Sequence, residues 1–304
     1  MTGWQRFLIY QKERFPLAKT APLLAVFSGA SITFSAVLAD RPMPGAGQYA
    51  AGFLIAMILF FQMRAADEWK DREIDRLYRP ERPIPRGLVR LHTVLWAAVV
   101  LMPVAGLAAV GIGWGVLALL LMTWLWLAAM TVEFGAPEWL RNRMLIYLAS
   151  HMMIMPIMDL LLTGIEWVGQ GGPAPGLWLF LALSFVNGCV LEIGRKTWAP
   201  EAERKGVESY SALWGPARSA WIWLGLVALA ALLLCGVGIA LDAIWPLAAV
   251  ALVGLSGAAG VAIGFARAPS VRGQSRLDAA AALWVLICYA AAGFLPLMLR
   301  GLTS

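Results

Sequence analysis

The sequence predicts an all-α, polytopic membrane protein. Nine transmembrane helices bundle around a central cavity, with the N-terminus inside and the C-terminus outside. Three observations carry this. Hydrophobic residues make up 61% of the chain and charged residues only 14%, with a mean hydropathy of +0.73, whereas about a quarter of a soluble domain is charged. The apolar residues also fall in repeated runs of about 20, the length that crosses a bilayer as a helix. Finally, when nine spans are placed with the N-terminus inside, only Arg41 and Arg300 of the 24 lysines and arginines lie on the opposite side. A wrong span count would invert every later connection and scramble that asymmetry. The net charge of +6 and pI near 9.5 therefore express membrane orientation, and no nucleic-acid partner is expected.

Taken in order, residues 1–19 mix aromatic and basic side chains with no small-residue cleavage site. They read as an interfacial helix leading into the first span, not as a removable signal. The spans are expected near 20–39, 48–66, 91–110, 114–132, 143–164, 176–193, 218–240, 244–265 and 279–299. Breaker-rich turns separate several of them, at 40–47, 111–113, 165–175 and 241–243. The whole chain, 1–304, reads as one domain of two pseudo-repeated halves, about 1–135 and 136–304. Cys189, Cys235 and Cys288 lie inside apolar runs without disulfide or metal spacing and are expected to be reduced core residues. Small residues at 254–258 suit helix packing, within one bundle or between two.

Two connections break the apolar pattern. The first, 66–89, reads ADEWKDREIDRLYRPERPIPRGLV. If the second span's helix continues through Asp75, then Glu68, Asp71 and Asp75 share a narrow arc at i, i+3 and i+7. Carboxylates so stacked repel unless a cation sits between them, and a hard divalent ion held by carboxylates and substrate phosphates is the usual answer. The arginines beyond (Arg72, Arg76, Arg79, Arg82, Arg86) offer planar forks that match phosphate oxygens. A solvated loop whose acids and bases pair among themselves is the alternative. The second connection, 187–215, carries Asn187, Glu192, Arg195, Lys196, Glu201, Glu203 and Lys205. It lies four spans later on the same expected side, which places both loops over one cavity. Arg141 and Arg143 join that side.

Ionisable groups inside spans are functional candidates by default. His151 and Asp159, eight positions apart near Pro156, are expected close to one face of the fifth span. The alternative is a packing histidine and an aspartate wetted at the outer end. The 15 tryptophans fit interfacial belts. Trp124 and Trp126, deeper in a span, either pack helices or line a pocket with cation-stabilising π faces.

With both loops in view, the chain resembles the UbiA-type membrane prenyltransferases. That family's first motif, N/D-D-x-x-D-x-x-x-D followed by R-P-x-x-x-G, is matched by Asp67, Glu68, Asp71 and Asp75 and then by Arg82, Pro83 and Gly87. Gly206, Ser209 and Gly215 match the distal half of the second motif, G-x-x-[ST]-x-x-x-x-x-G. The sequence departs from the family in having Glu68 where Asp is usual and Asp67 where Asn is common. It also has Trp198 and Ala202 where the second motif's acids are expected.

The resemblance implies Mg²⁺-dependent ionisation of a prenyl diphosphate inside the membrane, with two ions and Mn²⁺ as an alternative metal. Glu68, Asp71 and Asp75 would hold one ion, and Glu192 with Glu201 or Glu203 the other, with Asn187 beside them. Asp67, Arg72, Arg82, Arg141, Arg143, Arg195, Lys196 and Lys205 would bind substrate. The partners implied are a prenyl diphosphate, an aromatic or other lipophilic acceptor, and membrane lipid. The expected location is a bacterial inner membrane with the loops on the cytoplasmic side. Two alternatives stay open: a terpene cyclase that closes the prenyl cation on itself, and a metal-ion or lipid transporter. No comparable acidic pair at mid-membrane in both halves supports the transporter.

Overall fold

The computed structural model describes residues 2–204 and 206–303, the side chains from 301 onward excepted. It is 82% helix, with no strand among the described residues. Fourteen α-helices follow one another. An N-terminal helix α1 (Gly3–Arg14) precedes α2 (Leu17–Leu38), α3 (Ala46–Lys70), α4 (Arg72–Tyr78), α5 (Leu91–Ile112) and α6 (Trp114–Thr131). Then come α7 (Pro137–Arg141), α8 (Met144–Met152), α9 (Ile154–Trp167), α10 (Leu177–Arg195), α11 (Tyr210–Trp214), α12 (Pro216–Ala240), α13 (Ile244–Arg267) and α14 (Val271–Thr303). Among the described residues, nine segments are long and apolar enough to cross a membrane, α8 and α9 counting together as one. The chain is an integral membrane protein.

The spans close a ring in chain order. Each packs on the next (α2 on α3, α3 on α5, α5 on α6, α6 on α9, then α9, α10, α12, α13 and α14), and α14 returns to α2. Lipid replaces water outside this ring, so large apolar side chains such as Leu107, Leu125, Leu232 and Val253 stand exposed on its rim. Inside, the few polar groups must find partners within the protein. Asp159, 0% exposed, accepts from Ser31 at 2.6 Å and from the Tyr289 hydroxyl at 2.5 Å, tying α9 to α2 and α14. Phe27 and Phe180 meet Tyr289 edge-on and complete an aromatic plug. Asp159 is thus an interior group, not one wetted at the outer end. Gln62 links α3 to two neighbours by donating to the Ala98 carbonyl and accepting from Trp124. Trp126 bonds the Ser150 carbonyl. These two tryptophans therefore pack helices.

The two ends of the ring differ. At one, Glu166 is buried and accepts from Ser35 at 2.7 Å and from Arg41 at 3.1 Å, while Arg41 also reaches the Gly172 carbonyl. The other end carries the charged connections. There α1 lies against α3. Its first turn is closed by a capping box between Thr2 and Gln5, and its Arg14 bonds Glu68.

Three expectations change. The helix does not run straight through Asp75: it hinges at Asp71, between α3 and α4. The fifth span, expected as one helix over 143–164, is interrupted at Met153; His151 meets Lys70 and the Tyr147 carbonyl, while Asp159 bonds Ser31 and Tyr289. The last span begins at Val271, eight residues before its expected start, because two charged turns extend it beyond its apolar window. All three cysteines are free.

Candidate active site

The sequence folds the first acidic stretch by carrying α3 past its apolar run into ADEWK, so that the acids sit on the last helical turn and the next. Backbone bonds from Asp71 to Asp67 and from Asp75 to Asp71 carry helical spacing across the hinge. The four acids have different fates. Glu68, 2% exposed, is turned to Arg14 at 2.5 Å. Asp75, equally buried, is held by Arg82 at 2.6 Å and by Arg79 at 3.4 Å. Asp67 is half exposed, with Arg64 at 3.5 Å. The Asp71 carboxylate makes no hydrogen bond and no ion pair among the described residues. Burial, reinforced by the neighbouring charges of Asp67 and Asp75, pushes its carboxyl above the usual range despite Arg79 and Arg82.

The second stretch follows the same rule of proximity with the opposite result. Glu192, at the end of α10, is paired with both Arg195 and Lys196, at 2.5 and 2.9 Å. Glu203 accepts from the Ser209 hydroxyl, whose oxygen in turn caps α11 by accepting from the Ala212 amide. Glu201 is exposed. Gly206 adopts a left-handed φ of +78° directly against the Tyr78 ring, where any side chain would collide. That contact, with the Arg204–Glu81 pair at 3.2 Å, fastens the second loop onto the first. Lys205 lies outside the described residues.

A third connection completes the site. Between α6 and α7 the chain turns through Glu133 and Phe134, both at φ +53°, a conformation that non-glycine residues rarely adopt. The turn aims Glu133 inward to Lys70 of α3 at 2.6 Å and brings it 3.4 Å from His151 of α8. Burial would raise the Glu133 carboxyl, but the adjacent His151 ring and Lys70 ammonium outweigh it, and the carboxyl stays below the usual range. Tyr147 stacks on His151 with ring centroids 3.9 Å apart and takes a bond from Lys70 at 3.3 Å. Its hydroxyl stands within electrostatic reach of Glu133, Glu192, Asp71 and Asp67. Asp67 in turn acts on Arg195. Tyr147 thus gathers Lys70, Glu133 and His151 at the end of the ring that bears both acidic stretches.

The remaining expected residues lie elsewhere. Arg72 stacks on exposed Trp69 and Arg143 on Trp139, and Arg141 is exposed. Asn187 is buried, where its carbonyl accepts from Trp284 of α14 and its amide nitrogen has no partner among the described residues. Lys70, Glu133 and Tyr147 had not been expected in the site.

Asp67 and Asp71 are hard oxygen donors that repel each other, Asp67 loosely paired with Arg64 and Asp71 with no ion pair among the described residues, and this chemistry fits a divalent cation. The acids of the second stretch do not fit one in the same way, because Glu192 is already neutralised by two bases. Among the described residues, no three His, Cys, Asp or Glu side chains are grouped closely enough to hold a metal by themselves. An ion here would depend on substrate oxygens to complete its shell.

The ring agrees with what comparison shows. Residues 28–287 match the UbiA prenyltransferase family, and the chain belongs to it: the protein is a prenyltransferase. Its fold is similar to a solved structure of a digeranylgeranylglyceryl phosphate synthase, with a TM-score of 0.62 and 16% identity over 95% of this chain and 99% of that one. No curated protein sequence matches the chain. The family acts on prenyl diphosphates and lipophilic acceptors and generally uses divalent metals.

Proposed function

We propose that the chain ionises a prenyl diphosphate at Asp67 and Asp71 and transfers the prenyl group to a lipophilic, aromatic-type acceptor dissolved in the membrane. The observation that carries this is Asp71: a carboxylate with no hydrogen bond or ion pair among the described residues, made more basic by burial and by its acidic neighbours Asp67 and Asp75. A divalent ion, Mg²⁺ or Mn²⁺, held by Asp67 and Asp71 would supply Lewis-acid charge to the departing diphosphate. Asp75 and Glu68 set the geometry, the first by fixing Arg79 and Arg82, the second by anchoring α1 through Arg14. Lys70, Arg195 and Lys196 are the bases we assign to the negative charge that develops on the leaving group. The carbon–oxygen bond breaks heterolytically and its electron pair leaves with pyrophosphate. The acceptor's electron pair then forms the new bond to the allylic carbon, and the acceptor's proton passes to Glu133, the ionised base beside Tyr147. The apolar interior shields the cation from water.

The same reading covers orientation. The basic residues sort to the end that bears the site, which supports an N-in, C-out protein with the site on the cytoplasmic side of a bacterial inner membrane. One domain of two halves, 1–135 and 136–304, is consistent with each half contributing one acidic stretch.

The test is turnover of the full chain in lipid nanodiscs, with Mg²⁺ and prenyl diphosphates of graded chain length, with and without a phenolic acceptor. Pyrophosphate release that requires the acceptor, with a prenylated product, is expected. A cyclic hydrocarbon formed without acceptor would make the protein a cyclase instead. Binding of the diphosphate with no release under either condition would overturn the assignment of Asp67 and Asp71.

A further inference from the structure

The cluster around Glu133 holds a gap of the size of one proton. Lys70 bonds Glu133 at Oε1, 2.6 Å away, and reaches the His151 Nε2 at 3.2 Å. The other carboxylate oxygen, Oε2, is buried and has no hydrogen-bond partner among the described residues. That same Nε2 lies 3.4 Å from it. The opposite ring nitrogen, Nδ1, stands 2.9 Å from the Tyr147 carbonyl. A carbonyl only accepts, so Nδ1 carries the ring's proton and Nε2 presents a lone pair. Oε2 and Nε2 are thus two acceptors side by side with no hydrogen between them, and buried oxygens are rarely left so. The ring is held in this position. Tyr147 stacks on it with centroids 3.9 Å apart, Phe134 meets it edge-on at 6.0 Å, and the residue is 5% exposed. The remaining ionisable groups on helices packed against α8 are occupied or turned out. On α10, Glu192 is closed by Arg195 and Lys196 and Cys189 is a buried thiol. On α9, Asp159 is bonded to Ser31 and Tyr289, and on α7 Glu138 and Arg141 are exposed.

We propose that Glu133 and His151 form a store for one proton, and that the proton released by the prenylated acceptor comes to rest on His151. The role in turnover rests on the reading of Glu133 as the acceptor's base. Once the acceptor's electron pair has bonded to the allylic carbon, its proton moves to Glu133 Oε2, and the O–H so formed donates to His151 Nε2. Transfer along that bond leaves an imidazolium beside a carboxylate. Water then takes the proton by way of the partly exposed Glu133 side chain and resets the pair. No oxidation or reduction is involved. His151 acts through Glu133, returning it to the ionised form, and does not itself touch the substrate.

The experiment is nitrogen NMR of the full chain in proteoliposomes with ¹⁵N-labelled histidine. The chain has two histidines, and the other, His92, is exposed; a His92→Gln background isolates the signals of His151. At neutral pH the ring should show a protonated Nδ1 and a lone-pair Nε2. Lys70→Met removes the ammonium, so a proton should fill the gap and both nitrogens should be protonated. Combining it with Glu133→Gln should return the ring to its neutral form. In turnover, His151→Phe, which keeps an aromatic ring against Tyr147, should lower kcat by about 10²-fold and leave the KM for the diphosphate unchanged. Adding Glu133→Gln should lower kcat no further than the larger single loss, because the two groups act as one unit. His151→Gln serves if the phenylalanine variant does not assemble. A wild-type ring protonated at both nitrogens, or at Nε2 alone, would overturn the proposal. So would a Lys70→Met ring that stays neutral, or kinetic losses that add. The spectra need no substrate and judge the store apart from prenyl transfer: spectra as expected with full pyrophosphate release by Glu133→Gln would overturn the reading of Glu133 as the acceptor's base.

Discussion

The two acidic connections contain the same kinds of residue and end in opposite electrostatic states. In the first, the Asp71 carboxylate has no ion pair among the described residues and the half-exposed Asp67 has only Arg64, at 3.5 Å, although Glu68 and Asp75 beside them are tightly paired. In the second, the one buried acid, Glu192, is bracketed by Arg195 and Lys196 within a single turn. Composition therefore says little about which site attracts a cation. What decides is whether helical spacing places a base at i+3 or i+4 of each acid. From Asp67 and from Asp71 the i+4 position is another acid, Asp71 and Asp75, and Lys70, at i+3 of Asp67, is drawn away to Glu133; from Glu192 both positions are bases. A diphosphate, negative itself and coordinated to a cation, is accommodated by having one of each.

The largest test of that contrast is to neutralise an acid on each side. Asp71→Asn should lower kcat/KM by about 10³-fold in a pyrophosphate-release assay, the scale of losing a group that stabilises transition-state charge. Glu201→Gln, in the exposed part of the second loop, should stay close to wild type. Equal losses would erase the distinction. Lys70→Met comes next: a fall of about 10²-fold is expected, together with a rise in the KM for the diphosphate, because one ammonium serves Glu133, Tyr147 and the substrate side of the site. An unchanged KM would leave Lys70 as a structural strut.

Much of this contrast could be read before any coordinates, and some could not. The spans were legible because a bilayer demands about 20 apolar residues and tolerates few charges, a constraint stronger than any helix propensity. Glu192 with Arg195 and Lys196 was legible from i+3 and i+4 spacing. The sequence does not reveal that Glu68 turns away to Arg14, because α1 and α3 meet only once the chain has folded. Lys70, Glu133 and Tyr147 come from three separate segments, and only ring closure brings them together. A signal existed in Glu133: an acid followed by Phe-Gly at a span's end, where a left-handed turn was available. Helix hinges at Asp71 and Met153 leave no mark that hydrophobic periodicity can register.

A smaller effect concerns the neutralised site. Glu192→Gln leaves Arg195 and Lys196 facing each other. It should lower stability by about 1–2 kcal/mol, modest for so buried an acid because both bases reach solvent. The measurement is thermal unfolding in detergent. A loss as large as that of Arg14→Ala, which strands Glu68 almost without exposure, would contradict the solvent-access argument.

The gentlest test is pH. Asp71 carries a raised proton affinity, and only its ionised form can bind a cation. Activity at limiting Mg²⁺ should therefore rise with pH through a value above the ordinary aspartate range, and excess Mg²⁺ should move that limb downward. For the metal-free protein the sign reverses. An acid whose folded value is raised contributes stability below its unfolded value, and that stability is lost as pH climbs through the folded one. Asp71→Asn should accordingly raise the melting temperature at neutral pH without metal while abolishing the pH limb.

The staple of Arg41, Glu166 and Ser35, with the Asp159–Tyr289 plug beneath it, has a consequence for traffic. A bundle fastened at one end and charged at the other is a cup, not a conduit. In the proposed reaction, pyrophosphate leaves through the charged end by which the diphosphate came, and the hydrophobic product departs sideways into the leaflet. No net charge then crosses the bilayer in a cycle, so the enzyme's pace should be indifferent to the voltage of the membrane in which it sits.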